Sequence, residues 1–238
     1  MMNDDEIAQC RFTWNWEMGD TINVYAPAGP FPNDSTEACI PTTQPPAPIV
    51  VVPENLVSDP LTVETITLTS SQCRNYRSAN FVLEGLPNLK TIVIGDNCFN
   101  NGVTFSLTNL PELQSVQLGQ YVFDYGHTVV LENLPKLQSI QMSRRALDGN
   151  NADDRKTISH ALYNYKNTLT MKDLPSLTSF RGSGDNLRFI GSATIQNVPQ
   201  LSSSGISVSN SCFSAIYSLQ ASNADDLESA IREKSNYV

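Results

Sequence analysis

The chain has 238 residues, 40% of them hydrophobic, with 15 Lys and Arg against 24 Asp and Glu, for a formal net charge of −9 and a pI near 4.6. That composition supports one core-bearing domain, alone or with an extension, and its acidity argues against a general binder of nucleic acid or anionic membrane. No run approaches the ~18 apolar residues of a membrane span.

The start, Met1-Met2-Asn3-Asp4-Asp5-Glu6, is acidic and lacks the apolar stretch of a secretory signal. This leaves the compartment open: extracellular or cell-surface if the chain is a fragment of a longer one, cytoplasmic otherwise. Residues 1–40 read as an N-terminal extension or cap. Phe12, Trp14 and Trp16 alternate and are followed by Ile22-Asn23-Val24-Tyr25, the pattern of a strand pair, which Gly29-Pro30-Phe31-Pro32 ends. The two tryptophans are expected to cover an open sheet end in the C-terminal three quarters of the chain, since exposed strand edges invite aggregation; a sugar-binding aromatic surface is the alternative. Prolines at 41, 45, 46, 48, 53 and 60 forbid helix, so residues 41–60 read as an extended linker.

From residue 61 a phrase recurs: Leu86-Pro87-Asn88-Leu89, Leu110-Pro111-Glu112-Leu113, Leu134-Pro135-Lys136-Leu137, Leu174-Pro175-Ser176-Leu177 and Val198-Pro199-Gln200-Leu201. Its first positions step by 24, 24, 40 and 24 residues, so one 16-residue insertion restores a strict period, the signature of a solenoid. Ahead of each phrase stand Leu83, Leu107, Leu131, Met171 and Ile195, and two residues before those Phe81, Phe105, Val129, Leu169 and Ala193. Behind it come Ile92/Ile94, Val116/Leu118 and Ile140/Met142, then Phe99, Phe123, Leu147 and Leu187. Alternation at spacing two predicts two short strands per coil, each with one face inward. Immediately before each Leu-Pro, Gly85, Asn109, Asn133, Asp173 and Asn197 suit a tight turn and are expected to form a ladder that satisfies turn N–H groups. Val63, Ile66, Leu68 and Cys73 fit a degenerate first coil; Leu219, Ala221, Asn223 and Leu227 fit a last one. The prediction is a mainly β solenoid of five to seven coils over residues 61–238. Asp225 to Ile231, with acids in the first turn and apolar residues three to four apart, predicts a C-terminal capping helix.

The pattern Leu86-x-x-Leu89-x-x-Ile92-x-Ile94-x-x-Asn97 resembles the leucine-rich-repeat motif, and the coil is similar to the BspA-like type of microbial and protist surface proteins. The Asn97 position becomes Tyr121 and Arg145 in later coils, which favours a flat two-strand solenoid over a regular horseshoe. The resemblance implies adhesion or protein interaction rather than catalysis.

The insertion, about 148–166, carries Ile158, Ala161, Leu162 and Tyr165 at helical spacing, with Asp153 or Asp154 as N-cap, and predicts a helix on the solenoid flank. The loop at Asp148 is no calcium loop, since the position for a bidentate Glu holds Ser159. The cysteines Cys10, Cys39, Cys73, Cys98 and Cys212 have no metal-ligand spacing. Cys73, Cys98 and Cys212 read as buried free thiols; Cys10 and Cys39 are the plausible bridge if the chain is extracellular.

His127 and His160 lie near no nucleophile elbow or zinc-protease pair, and no phosphate loop is present, so neither cofactor nor metal is expected. A polysaccharide-acting β-helix would need carboxylates converging on one face, but the outward positions are Thr91 and Val93, Ser115 and Gln117, Ser139 and Gln141, Ser179 and Arg181. That hydroxyl row also suggests ice binding, which its bulky, dissimilar neighbours argue against. The leading expectation is therefore a non-enzymatic protein-interaction or adhesion module, and the alternative a carbohydrate-binding or polysaccharide-acting β-helix. Between Lys136 and Arg188 stand nine basic and five acidic residues, a net +4 against −13 for the rest of the chain. Arg144, Arg145, Arg155, Lys156 and Arg181 are the candidate binding residues, and the expected partner is an acidic protein surface or an anionic glycan.

Overall fold

The computed structural model describes residues 49–52, 57, 59–149 and 166–238. Among these residues thirteen strands form two sheets. One consists of β1 (Ile49–Val51), β3 (Phe81–Glu84), β5 (Thr104–Thr108), β7 (Thr128–Glu132), β9 (Thr168–Lys172), β11 (Ser192–Gln196) and β13 (Ser218–Ser222). The other consists of β2 (Thr65–Leu68), β4 (Thr91–Ile94), β6 (Ser115–Leu118), β8 (Ser139–Met142), β10 (Ser179–Gly182) and β12 (Ile206–Ser207). Apart from the antiparallel pairing of β1 with β3, every pairing is parallel. The chain is a parallel β-solenoid of about six coils, each coil giving one strand to each sheet.

The apolar columns set this register. Phe81 lies opposite Phe105 and Leu83 opposite Leu107; the next pairings are Phe105 with Val129 and Leu107 with Leu131. Across the 40-residue step the register is unchanged: Val129 meets Leu169 and Leu131 meets Met171. A one-residue slip would turn every inward side chain to solvent, so the two flanking strands keep their phase. Leu83, Leu107, Ile92 and Met171 are all fully buried, each burial contributing roughly 1.5–3 kcal/mol. No coil could bury these faces alone.

The recurrent phrase is a β-turn. Leu113 N–H donates to the Leu110 carbonyl at 3.3 Å, and the bond recurs from Leu137 to Leu134 and Leu177 to Leu174 at 3.2 Å. Proline takes the second position, where its fixed φ is favoured, and the two leucines point inward. The residue before the phrase is left-handed in every coil, with φ between 51° and 69° from Gly85 to Asn223, a conformation that Gly and Asn adopt at least cost.

At this turn the asparagines do not satisfy turn N–H groups as expected. The backbone N–H of Asn109 reaches the Glu132 carbonyl of the next coil at 3.1 Å, and Asn197 reaches Ser222 at 3.0 Å. The side chains instead bond one another: Asn109 donates to Glu84 (3.0 Å), Asn133 to Asn109, Asn197 to Asp173 and Asn223 to Asn197 (2.7 Å each). An asparagine ladder exists after all, at this corner rather than in the Asn97 column. There Asn97, Tyr121, Arg145 and Asp185 are left-handed, and their N–H groups pair with the following coil, Asn97 to Gln120 at 2.8 Å and Tyr121 to Arg144 at 3.1 Å.

Three further features depart from the sequence-based expectation or complete it. β1 falls inside residues 41–60 and extends the first sheet, because Ile49-Val50-Val51 between prolines offers a strand to the edge of β3. Cys73 and Cys98 are not free thiols: adjacent coils place them face to face, with Cα atoms 4.5 Å apart, and they form a disulfide. Cys212 is free and buried. The C-terminal helix α1 (Asp225–Lys234) has Asp225, Asp226 and Glu228 in its first turn, Arg232 and Lys234 in its last, and buries Leu227 and Ile231. The Trp14/Trp16 strand pair, the Cys10–Cys39 bridge and the inserted helix fall outside the described residues.

Candidate functional site

Five successive coils turn their second corner on a buried residue in the left-handed region: Phe99, Phe123, Leu147, Leu187 and Phe213. The residue after it faces the edge between the sheets, and in four successive coils this column reads Asn100, Asp124, Asp148, Arg188. Two residues before the buried one stand Asn97, Tyr121, Arg145 and Asp185. Stacking brings these columns into one charged cluster at the point where the insertion leaves the solenoid.

Asp148 lies at its centre with a side chain shielded completely from solvent. Arg145 Nε approaches its Oδ2 at 3.2 Å, and Arg188 Nη2, one coil on, approaches the same oxygen at 3.1 Å. Arg145 Nε also sits 3.0 Å from Asp124 Oδ1 of the preceding coil. Arg188 Nη1 contacts Asp185 at 3.4 Å, and Arg144 Nε lies 3.9 Å from the other Asp185 oxygen. Arg145 lies over the Tyr121 ring and Arg188 over Phe189, 5.6 and 4.3 Å from the centroids, contacts that favour a guanidinium.

Burial pushes the Asp148 carboxyl up to about 7 against the opposing pull of Arg188 and Arg145, with Asp124 and Asp185 reinforcing the rise. Burial likewise raises Asp124, opposed by Arg145 and Arg188. Asn100 Oδ1, Asp148 Oδ1 and Arg188 Nε are buried atoms without a hydrogen-bond partner, Asp124 Oδ1 is met only by the ion pair with Arg145, and all four belong to the one column. Unsatisfied buried polar atoms are uncommon in folded proteins; their concentration on one edge marks it as the candidate site.

The structure treats the sequence-derived candidates differently. Arg144 and Arg145 meet at this corner, but Arg145 is committed inward to Asp124 and Asp148 and is 28% exposed, whereas Arg144 is 62% exposed. Arg181 is exposed on the outer face of the second sheet, in register with Gln141 and Ser207, and its Nε donates to Ser179 Oγ at 3.1 Å. Arg155 and Lys156 fall outside the described residues. Asp124, Asp148, Asp185 and Arg188 were not among the candidates, although the 24-residue step after Phe99, Phe123 and Leu147 would have aligned the first two with Asn100. The hydroxyl row is in register from Thr65 through Thr91, Ser115 and Ser139 to Ser179.

Among the described residues no group of three or more His, Cys, Asp or Glu is placed to hold a metal ion, and no helix is long and apolar enough to cross a membrane. The fold defines the class, a parallel β-solenoid. No family model, curated protein or solved structure matches the chain.

Proposed function

We propose that the chain is a non-enzymatic interaction or adhesion module, of the leucine-rich-repeat, BspA-like kind its coil resembles, and that it engages a carboxylate-rich protein surface. The observation that carries this reading is the placement of Arg144 and Arg181: two exposed guanidiniums on the third and fourth coils of an otherwise acidic chain. Guanidinium forks match carboxylates in geometry and charge. The rigid stacked sheets support the reading by holding both arginines in place before a partner arrives, which lowers the ordering cost of binding. The Cys73–Cys98 disulfide favours an oxidising compartment, where surface proteins work.

Fluorescence anisotropy with a labelled Asp-rich peptide tests the proposal on the full chain. Arg144→Ser with Arg181→Ser should weaken binding at least about tenfold, since charged hydrogen bonds contribute ~1.5–3 kcal/mol each. Binding should also weaken with added salt, while the melting temperature stays within a degree or so, because neither side chain is buried. Equal binding by the double variant would overturn the assignment. Binding of a sulfated glycan in place of the peptide would favour the carbohydrate reading.

A further inference from the structure

We infer that the third-coil corner is a proton-gated interface, in which protonation of Asp148 unmasks the positive charge of Arg145 and Arg188 toward the acidic partner that Arg144 and Arg181 hold. This rests on the acidic-partner reading and adds its regulation. The geometry is asymmetric about the one carboxylate. Both guanidiniums address Oδ2, Arg145 Nε at 3.2 Å and Arg188 Nη2 at 3.1 Å, while Oδ1 is buried and accepts nothing. A proton arriving on Oδ1 displaces no hydrogen bond and leaves Oδ2 accepting both N–H groups. The corner therefore keeps its shape and changes its charge.

Among the described residues, the charged groups around Asp148 all bear on the outcome. Its own corner supplies Arg144 and Arg145, the preceding coil Asp124, and the following coil Asp185 and Arg188. The fifth coil supplies the Cys212 thiol, which burial pushes upward and so holds neutral. With all three carboxylates ionised, three arginines are balanced; one proton leaves the corner at +1. Burial places the Asp148 transition near 7, where the carboxylates of a partner, with ordinary values around 4, remain charged. Affinity for an acidic partner therefore rises as pH falls through the Asp148 transition. One extra unit charge at about 4 Å in a well-solvated interface contributes ~1 kcal/mol, or about fivefold in Kd.

Two measurements on the full chain test this. Carbon-13 NMR titration of the Asp148 carboxyl reads the gate without any partner, and its midpoint should fall near 7. Anisotropy of the labelled Asp-rich peptide, at pH 5.5 and 8.5 and constant ionic strength, should show about fivefold tighter binding at the lower value. Asp148→Asn should bind tightly at both, because its side chain carries no charge at either pH. A carboxyl midpoint near 4, or equal binding by the native chain at the two pH values, overturns the gate and leaves the acidic-partner reading standing. Absence of peptide binding at both overturns the two together.

Discussion

Phe123 carries two opposed contributions that a pair of substitutions can separate. Its ring is fully buried, stacked on Phe99 at 5.1 Å and packed against Phe105 at 5.4 Å, yet its backbone sits at φ 50°, where a side chain costs roughly 1–2 kcal/mol. Replacement by alanine removes the ring and leaves a void between two coils that cannot close, for a loss of about 3–5 kcal/mol; the backbone cost remains, because alanine also carries a Cβ. Replacement by glycine removes the same ring and relieves the backbone. Glycine gives back part of the relief through its freer unfolded chain, about 0.5–1 kcal/mol, so Phe123→Gly should exceed Phe123→Ala in stability by ~0.5–1 kcal/mol. That reverses the order found at ordinary strand or helix positions. Urea unfolding with the slope checked for constancy measures both. An alanine variant as stable as the glycine variant, or more so, would refute the left-handed corner and the column built on it.

Asn109→Asp should cost about 1–2 kcal/mol at pH 8, because it removes the donor to Glu84 and sets two carboxylates against each other; the carboxyl pKa values rise in the folded state, so the loss should shrink as pH falls through them. Urea titrations at pH 8 and pH 4 check this, and an equal loss at both would contradict the ladder. Replacing Cys73 and Cys98 together by Ser should cost roughly 3.5 kcal/mol, the chain-entropy value for their separation of 25 residues. Reductant should lower the native melting temperature and leave the double variant unmoved; a native chain indifferent to reductant would contradict the bridge.

The solenoid was legible in the sequence because its determinants are periodic. Each inward column, from Phe81 and Leu83 to Leu219 and Ala221, repeats at the spacing that the sheet register requires, and the 40-residue step kept its phase. What stayed hidden depends on contacts between coils rather than on the pattern within one. Cys73 and Cys98 stand 25 residues apart, one more than the period, and only the differing path of the first coil brings their sulfurs together. Ile49-Val50-Val51 was masked by the prolines around it, since composition over a window outweighs three residues. At the candidate site, charge counting located the third and fourth coils and placed Arg144 there. It could not separate Arg144, which points to water, from its neighbour Arg145, which turns inward. That distinction comes from Asp124 and Asp148, whose burial no local signal in the chain announces.

The boundary between the third and fourth coils differs from the others in how it is held. Elsewhere each amide of the asparagine ladder donates to the coil before it, but at this boundary Asn133 faces Asp173, which has no donor to offer, and the side-chain ladder stops. The backbone lattice runs on unbroken, with Asn133 N–H to Lys172 at 3.0 Å and Leu134 N–H to Asp173 at 3.1 Å. On the opposite corner the same boundary is crossed by the Asp148–Arg188 ion pair. A buried ion pair recovers its desolvation cost only when further charges and hydrogen bonds complete it, and Asp148 leaves one oxygen unmatched. The insertion therefore departs at the place where the solenoid depends most on charge and least on amide pairing. The pairs of Lys90 with Glu64 and Lys136 with Glu112 at other boundaries are exposed and screened by water, so a change in one proton acts most strongly where Asp148 and Asp124 hold their arginines away from solvent.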